Sequence, residues 1–139
     1  MPSFRDAATS SAPPEEVWKL LYDPARFPDW WAGIGTVEVE NAGGYTMYPD
    51  GYPDFPMAQL LDTQSDQRRV TVSCLVSDLR FEWRLEPDGD GTRITVDVEI
   101  PDAEAHRLDG QREIISASIK RLAGLTVSEP PRRPKEGSG

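Results

Sequence analysis

The chain has little positive charge. Its 15 lysines and arginines face 24 aspartates and glutamates, giving a net charge of −9 over 139 residues. Such a surface repels a phosphate backbone, so no nucleic-acid partner is expected. Cysteine and histidine each occur once, as Cys74 and His106. One cysteine cannot form an internal disulfide, and one residue of each kind leaves a zinc site short of ligands. No glycine-rich phosphate cradle is present. No stretch approaches the ~18 apolar residues of a membrane span, and the opening MPSFRDAATSS lacks the apolar centre of a signal peptide. These absences point to a cytoplasmic protein with no membrane span, metal or cofactor.

Apolar residues make up 37% of the sequence and charged residues 28%, the balance of a globular domain with one core. Residues 1–127 read as that domain. Residues 128–139 are rich in proline, glycine and charge and read as a disordered tail.

Alternation over 3–9 predicts a first strand. SAPPEEVWKLLYD then carries helix-start signals: Ser11 or Ala12 at the cap, prolines at the first helical positions and Glu15 and Glu16 in the first turn. Asp23-Pro24 ends that helix and opens a second short one, PARFPDWW. Strands are expected over 34–40, 45–48, 57–62 and 69–76, with Asn41-Ala42-Gly43-Gly44 as a hairpin turn. PDGYPDFP holds three prolines and a glycine in eight residues and reads as a loop. The clearest period of two follows: Leu79, Phe81, Trp83 and Leu85 point one way, and Arg80, Glu82, Arg84 and Glu86 the other. After the turn PDGDG, Ile94, Val96, Val98 and Ile100 answer with the same pattern. Asp97 and Glu99 on its wet face should pair with Arg84 or Arg80 across the hairpin.

A long helix over 102–127 closes the domain. Asp102 is its candidate N-cap, and Leu108, Ile115, Ile119 and Leu122 form its main apolar stripe. Ile114, Ser118, Arg121 and Leu125 form a weaker stripe beside them. At ~1.5 Å per residue the helix spans roughly 35 Å and needs a large apolar surface to lie on. The fold class is therefore α+β: a seven-stranded curved antiparallel sheet around a long C-terminal helix, with two short helices after the first strand.

SAPPEEVWKLLYDPARFPDWW, LEPDGDGTRITVDVEIP and the final helix together resemble the START/Bet v 1-like (SRPBCC) superfamily. More narrowly they resemble its small bacterial polyketide cyclase/dehydrase proteins. The resemblance covers roughly residues 3–125 and lies in a pattern of positions, with no catalytic signature. It implies a helix-grip fold whose sheet and helix enclose a cavity for a hydrophobic small molecule such as a lipid, polyketide or aromatic compound. Some relatives of this kind are cyclases, aromatases or dehydratases.

In such a fold the aromatic set becomes the functional pointer. Trp31, Tyr45, Met47, Tyr48, Phe55, Phe81 and Trp83 are the candidate ligand-binding residues of the short helices and strands. Arg112, Ile115 and Ile119 are those of the long helix. Phe81 and Trp83 either line the cavity or fill the core. Arg112 interrupts the apolar stripe and either reaches the ligand or covers the stripe's edge with its stem, head in water. Gln59, on the face of Met57 and Leu61, is a further polar candidate. Tyr52 and Phe55 lie in the proline-rich loop, as a lid or as a patch that docks a partner. His106, among Glu104, Arg107 and Asp109, reads as a solvated surface residue, and Cys74 as a buried structural thiol. No residue is assigned a catalytic role. The leading expectation is a binding protein, monomeric or homodimeric. The alternatives are a cyclase/dehydratase-type enzyme and an interaction protein.

Overall fold

The computed structural model describes residues 2–40 and 43–127. Strand β1 (Ser3–Ser10) leads into α1 (Pro14–Leu21), a 3-10 turn at Pro24–Arg26, and α2 (Phe27–Trp30). Six strands follow: β2 (Ile34–Val39), β3 (Gly44–Pro49), β4 (Met57–Gln64), β5 (Arg69–Cys74), β6 (Arg80–Asp88) and β7 (Gly91–Glu99). A 3-10 segment, Asp102–Arg107, precedes α3 (Leu108–Val127). The seven strands form one antiparallel sheet in the order β1-β7-β6-β5-β4-β3-β2. The first strand therefore pairs with the last, and only the β1–β7 neighbours are not consecutive in sequence.

The two short helices form where the proline and acid signals placed them, with a different cap. Pro13 occupies the N-cap of α1 without a side-chain bond, and Pro14 begins the helix. Asp23 caps the next turn by accepting from Ala25 N at 3.0 Å. Trp30 Nε1 donates to Leu20 O at 2.9 Å, fastening α2 to α1.

The C-terminal helix is shorter than its sequence signals imply. Asp102–Arg107 is 3-10, Glu104 leaves helical geometry (φ −112°, ψ 16°), and Pro101 takes the cap position expected of Asp102. None of these six residues is buried, so nothing pulls this segment onto the sheet before Leu108. From there α3 packs along β1 and against α1 and α2, burying Ile115, Ser118, Ile119, Leu122 and Ala123. At ~1.5 Å per residue α3 is roughly 30 Å long.

The period of two in β6 and β7 holds throughout. Phe81, Trp83 and Leu85 lie opposite Val98, Val96 and Ile94 on the dry face. On the wet face Asp97 binds Arg84 and Arg5, each at 2.7 Å, and Arg80 lies 3.8 Å from Glu99. Strand β5 stops at Cys74, two residues before its expected end. Asp78 N donates to Cys74 O at 2.9 Å, and Leu75 and Val76 are left exposed in the turn. At the other end of the sheet Gly91 lies against the end of β1. A Cβ there would stand 2.1 Å from Ser10 O, so only glycine fits. Asn41 and Ala42 of the expected hairpin turn, and the tail 128–139, lie outside the described residues.

Candidate functional site

A cavity of about 200 Å³ lies between the β3–β6 half of the sheet and the start of the C-terminal helix. Its walls come from four parts of the chain. Trp31, Gly33 and Ile34 come from the passage out of α2; Tyr45 and Met47 from β3; Met57 and Gln59 from β4; Cys74, Leu79 and Phe81 from β5, β6 and their turn. Arg107, Gln111 and Ile114 close it from the helical side. Alternation explains the sheet's share, since Tyr45 and Met47 are two residues apart on one face, as are Met57 and Gln59. Gly33, at φ +88°, turns the chain from Trp31 into β2 in a conformation that side chains resist.

Behind the cavity stands an aromatic layer. Trp31 meets Phe81 at 5.1 Å and Trp83 at 5.3 Å, both edge to face, and stacks on Trp30 at 5.4 Å. Phe27 meets Tyr45 edge to face at 5.6 Å. These geometries match the ring quadrupoles and hold Trp31, Tyr45 and Phe81 as fixed surfaces. Trp83 Nε1 is wholly enclosed and has no hydrogen-bond partner, the one such side-chain atom among the described residues.

A polar row crosses the floor. Tyr45 is the register partner of Gln59, and Gln59 that of Cys74. Gln59 Nε2 donates to Met57 O at 3.3 Å and to Cys74 Sγ at 3.4 Å. Burial, with a smaller contribution from nearby Cys74, pushes the Tyr45 phenol far above its ordinary range. Tyr45 therefore keeps its proton well into the alkaline range. Arg107 stands exposed at the rim, paired with Glu104. Among the described residues no three histidine, cysteine or acidic side chains gather as a metal site.

Residues 1–124 match the family described as polyketide cyclase/dehydrase and lipid transport. The chain belongs to this family. Solved structures agree on the fold of this polyketide cyclase/dehydrase domain. XoxI from Bacillus cereus superposes with a TM-score of 0.75 at 17% identity, over 92% of this chain and 97% of that one. The di-domain ARO/CYC BexL from the BE-7585A biosynthetic pathway gives 0.76 at 16% identity, over 94% of this chain and 48% of that one. Ara h 8.0201 gives 0.66 at 17% identity, over 92% and 99%. No curated protein matches the sequence. The helix-grip architecture expected from the sequence is the one observed.

Within this family domain the expected site residues divide. Trp31, Tyr45, Met47 and Phe81 line the cavity. Trp83 lies one layer deeper, fully buried behind Trp31. Tyr48 faces away from it, because a residue next to Met47 must point to the other side of the strand, and its hydroxyl donates to Glu38 at 2.9 Å. Phe55 and Tyr52 are 55% and 66% exposed in the loop after β3, outside the cavity wall.

The helix corrects the placement of three residues. Ile115 and Ile119 are buried in the core and do not line the cavity. Arg112 is exposed, its guanidinium 5.6 Å above the Phe4 ring in a separate shallow depression beside β1. The stripe facing the cavity runs through Arg107, Gln111 and Ile114, with Ser118 following at the same spacing. Ile114 and Ser118 belong to the weaker stripe of the sequence. A stripe that borders open space need not be strongly apolar, so apolar periodicity pointed to the wrong face. Gln59 takes its expected place in the wall, and Cys74, expected as a buried thiol, is buried with the cavity on one side. His106 is exposed.

Proposed function

We propose that this is a cytoplasmic small-molecule binding protein that holds a hydrophobic ligand between its sheet and its C-terminal helix. The observation that carries this function is the cavity itself, a largely apolar space with a rigid aromatic wall, no carboxylate along it and a single cation, Arg107, at its rim. Affinity comes from apolar burial, at roughly 25 cal/mol per Å², and orientation from the few polar atoms on the floor. The family description, which names lipid transport beside cyclase and dehydrase activity, supports the same use. Among the described residues no helix is long and apolar enough to cross a membrane.

Tyr45 gives weight to a second function, a cyclase or dehydratase that orients a carbonyl through this buried donor. BexL, an ARO/CYC by its description, shares the fold. The two functions separate in one experiment. The protein is titrated with a panel of apolar compounds while tryptophan fluorescence and isothermal heat are followed, and each mixture is then analysed for product by mass spectrometry. Saturable binding with unchanged ligand supports the binding protein. Product formation supports the enzyme. A panel that spans lipids, aromatics and polyketides and gives neither heat nor quenching overturns both. Light scattering during the same work gives the oligomeric state, proposed as monomer or homodimer.

A further inference from the structure

The cavity's polar side chains are few: Tyr45, Gln59 and Ser77 on the sheet side, Arg107 and Gln111 on the helical side. Gln59 Nε2 is occupied by Met57 O and Cys74 Sγ, which leaves Oε1 as its open atom. The Tyr45 hydroxyl has no hydrogen bond among the described residues. Both residues are nearly out of solvent, Tyr45 at 2% and Gln59 at 5% exposure. Neither atom is wholly enclosed without a partner, a condition found only at Trp83 Nε1. Both residues line the cavity. A donor and an acceptor thus sit on register partners in the cavity wall without a protein partner, open to water or to a guest.

We propose that Tyr45 and Gln59 form a subsite for a neutral hydroxyl, and that the cavity takes a phenol-type ligand of one or two rings. This rests on the binding function above and narrows it. A phenol hydroxyl accepts from Tyr45 and donates to Gln59 Oε1, using both open atoms at once. The rings then lie against Trp31 and Phe81, whose fixed faces suit offset or edge contacts with an aromatic guest. Size sets the upper limit. An apolar protein cavity of ~150 Å³ holds one benzene, so about 200 Å³ matches a guest of one or two rings, and a long acyl chain or a four-ring skeleton would have to extend out through the mouth. Charge acts in the same direction: the one cation of the lining, Arg107, stands at the rim with its Nε on Glu104, so a carboxylate carried inside to the floor would be uncompensated.

The test is isothermal titration with 2-naphthol, naphthalene and dodecanoate against the wild-type protein, Tyr45→Phe and Gln59→Leu. Protection of Cys74, the only cysteine in the chain, from alkylation reports occupancy of the same cavity. The expected result is 2-naphthol binding about tenfold more tightly than naphthalene, with weak or absent dodecanoate binding. Each variant should lose about three- to tenfold in 2-naphthol affinity and stay within about twofold for naphthalene, which also shows that the variant is folded. Equal affinity for 2-naphthol and naphthalene, or equal losses for both in the variants, overturns the subsite while leaving a binding cavity. Preference for dodecanoate overturns the size limit and the ligand class. Binding of none of the three, with Cys74 unprotected, overturns the ligand class; only failure of the wider panel overturns the binding function.

Discussion

Ser118 ties the long helix to the aromatic passage through Ala32. Its hydroxyl accepts from Ala32 N at 2.8 Å and donates to Ile114 O at 2.6 Å. Ala32 directly follows Trp31, so this buried hydroxyl sets the distance between the helix and the cavity's main ring. Ser118→Ala leaves the Ala32 amide without its partner. The expected cost is about 1–3 kcal/mol in urea denaturation. Faster hydrogen exchange at Ala32, together with weaker ligand binding, distinguishes this from a diffuse loss of packing.

Tyr45 makes stability depend on alkaline pH. Its folded pKa lies above that of the unfolded chain, so its contribution is complete below about pH 10 and is lost as pH rises beyond it. In that range the unfolded state releases a proton that the folded state keeps. The unfolding free energy should therefore fall by about 1.4 kcal/mol per pH unit on account of this residue. Tyr45→Phe should remove this part of the slope, read from urea midpoints at pH 9, 10 and 11. Identical slopes in the two proteins would refute the assignment.

Gly91 should be intolerant of any side chain. The β1–β7 pairing brings Ser10 O into the space a Cβ would occupy, and both partners are backbone, so relief requires a strand to move. Gly91→Ala should cost about 1–3 kcal/mol or more, seen as a lower melting temperature. Gly110, with open space around the corresponding point, serves as the control.

Arg112 should matter little to the ligand. Its head rests over Phe4, away from the cavity. Arg112→Ala should leave 2-naphthol affinity within about twofold and lower stability by about 0.5–1 kcal/mol, the scale of an exposed cation–ring contact. Gln111→Ala, one residue earlier on the facing stripe, should change ligand affinity more than Arg112→Ala does.

Local chemistry alone determined much of this protein. Proline and aspartate at 23–24 stopped a helix, alternation from Leu79 to Ile100 set the faces of two strands, and PDGDG joined them. The ion pairs of Asp97 and Glu99 followed from the same register. These features were legible because each depends on residues close in sequence. The cavity was not. Whether Ile115 or Ile114 faces it depends on how α3 is rotated against β1, α1 and α2, and an apolar stripe marks the packed core better than it marks open space. The meeting of Tyr45, Gln59 and Cys74 required three strands to pair in one register. Sequence determined the alternation of the strands and the packed stripe of the helix. Tertiary packing decided which inward residues have protein against them and which have room for a ligand.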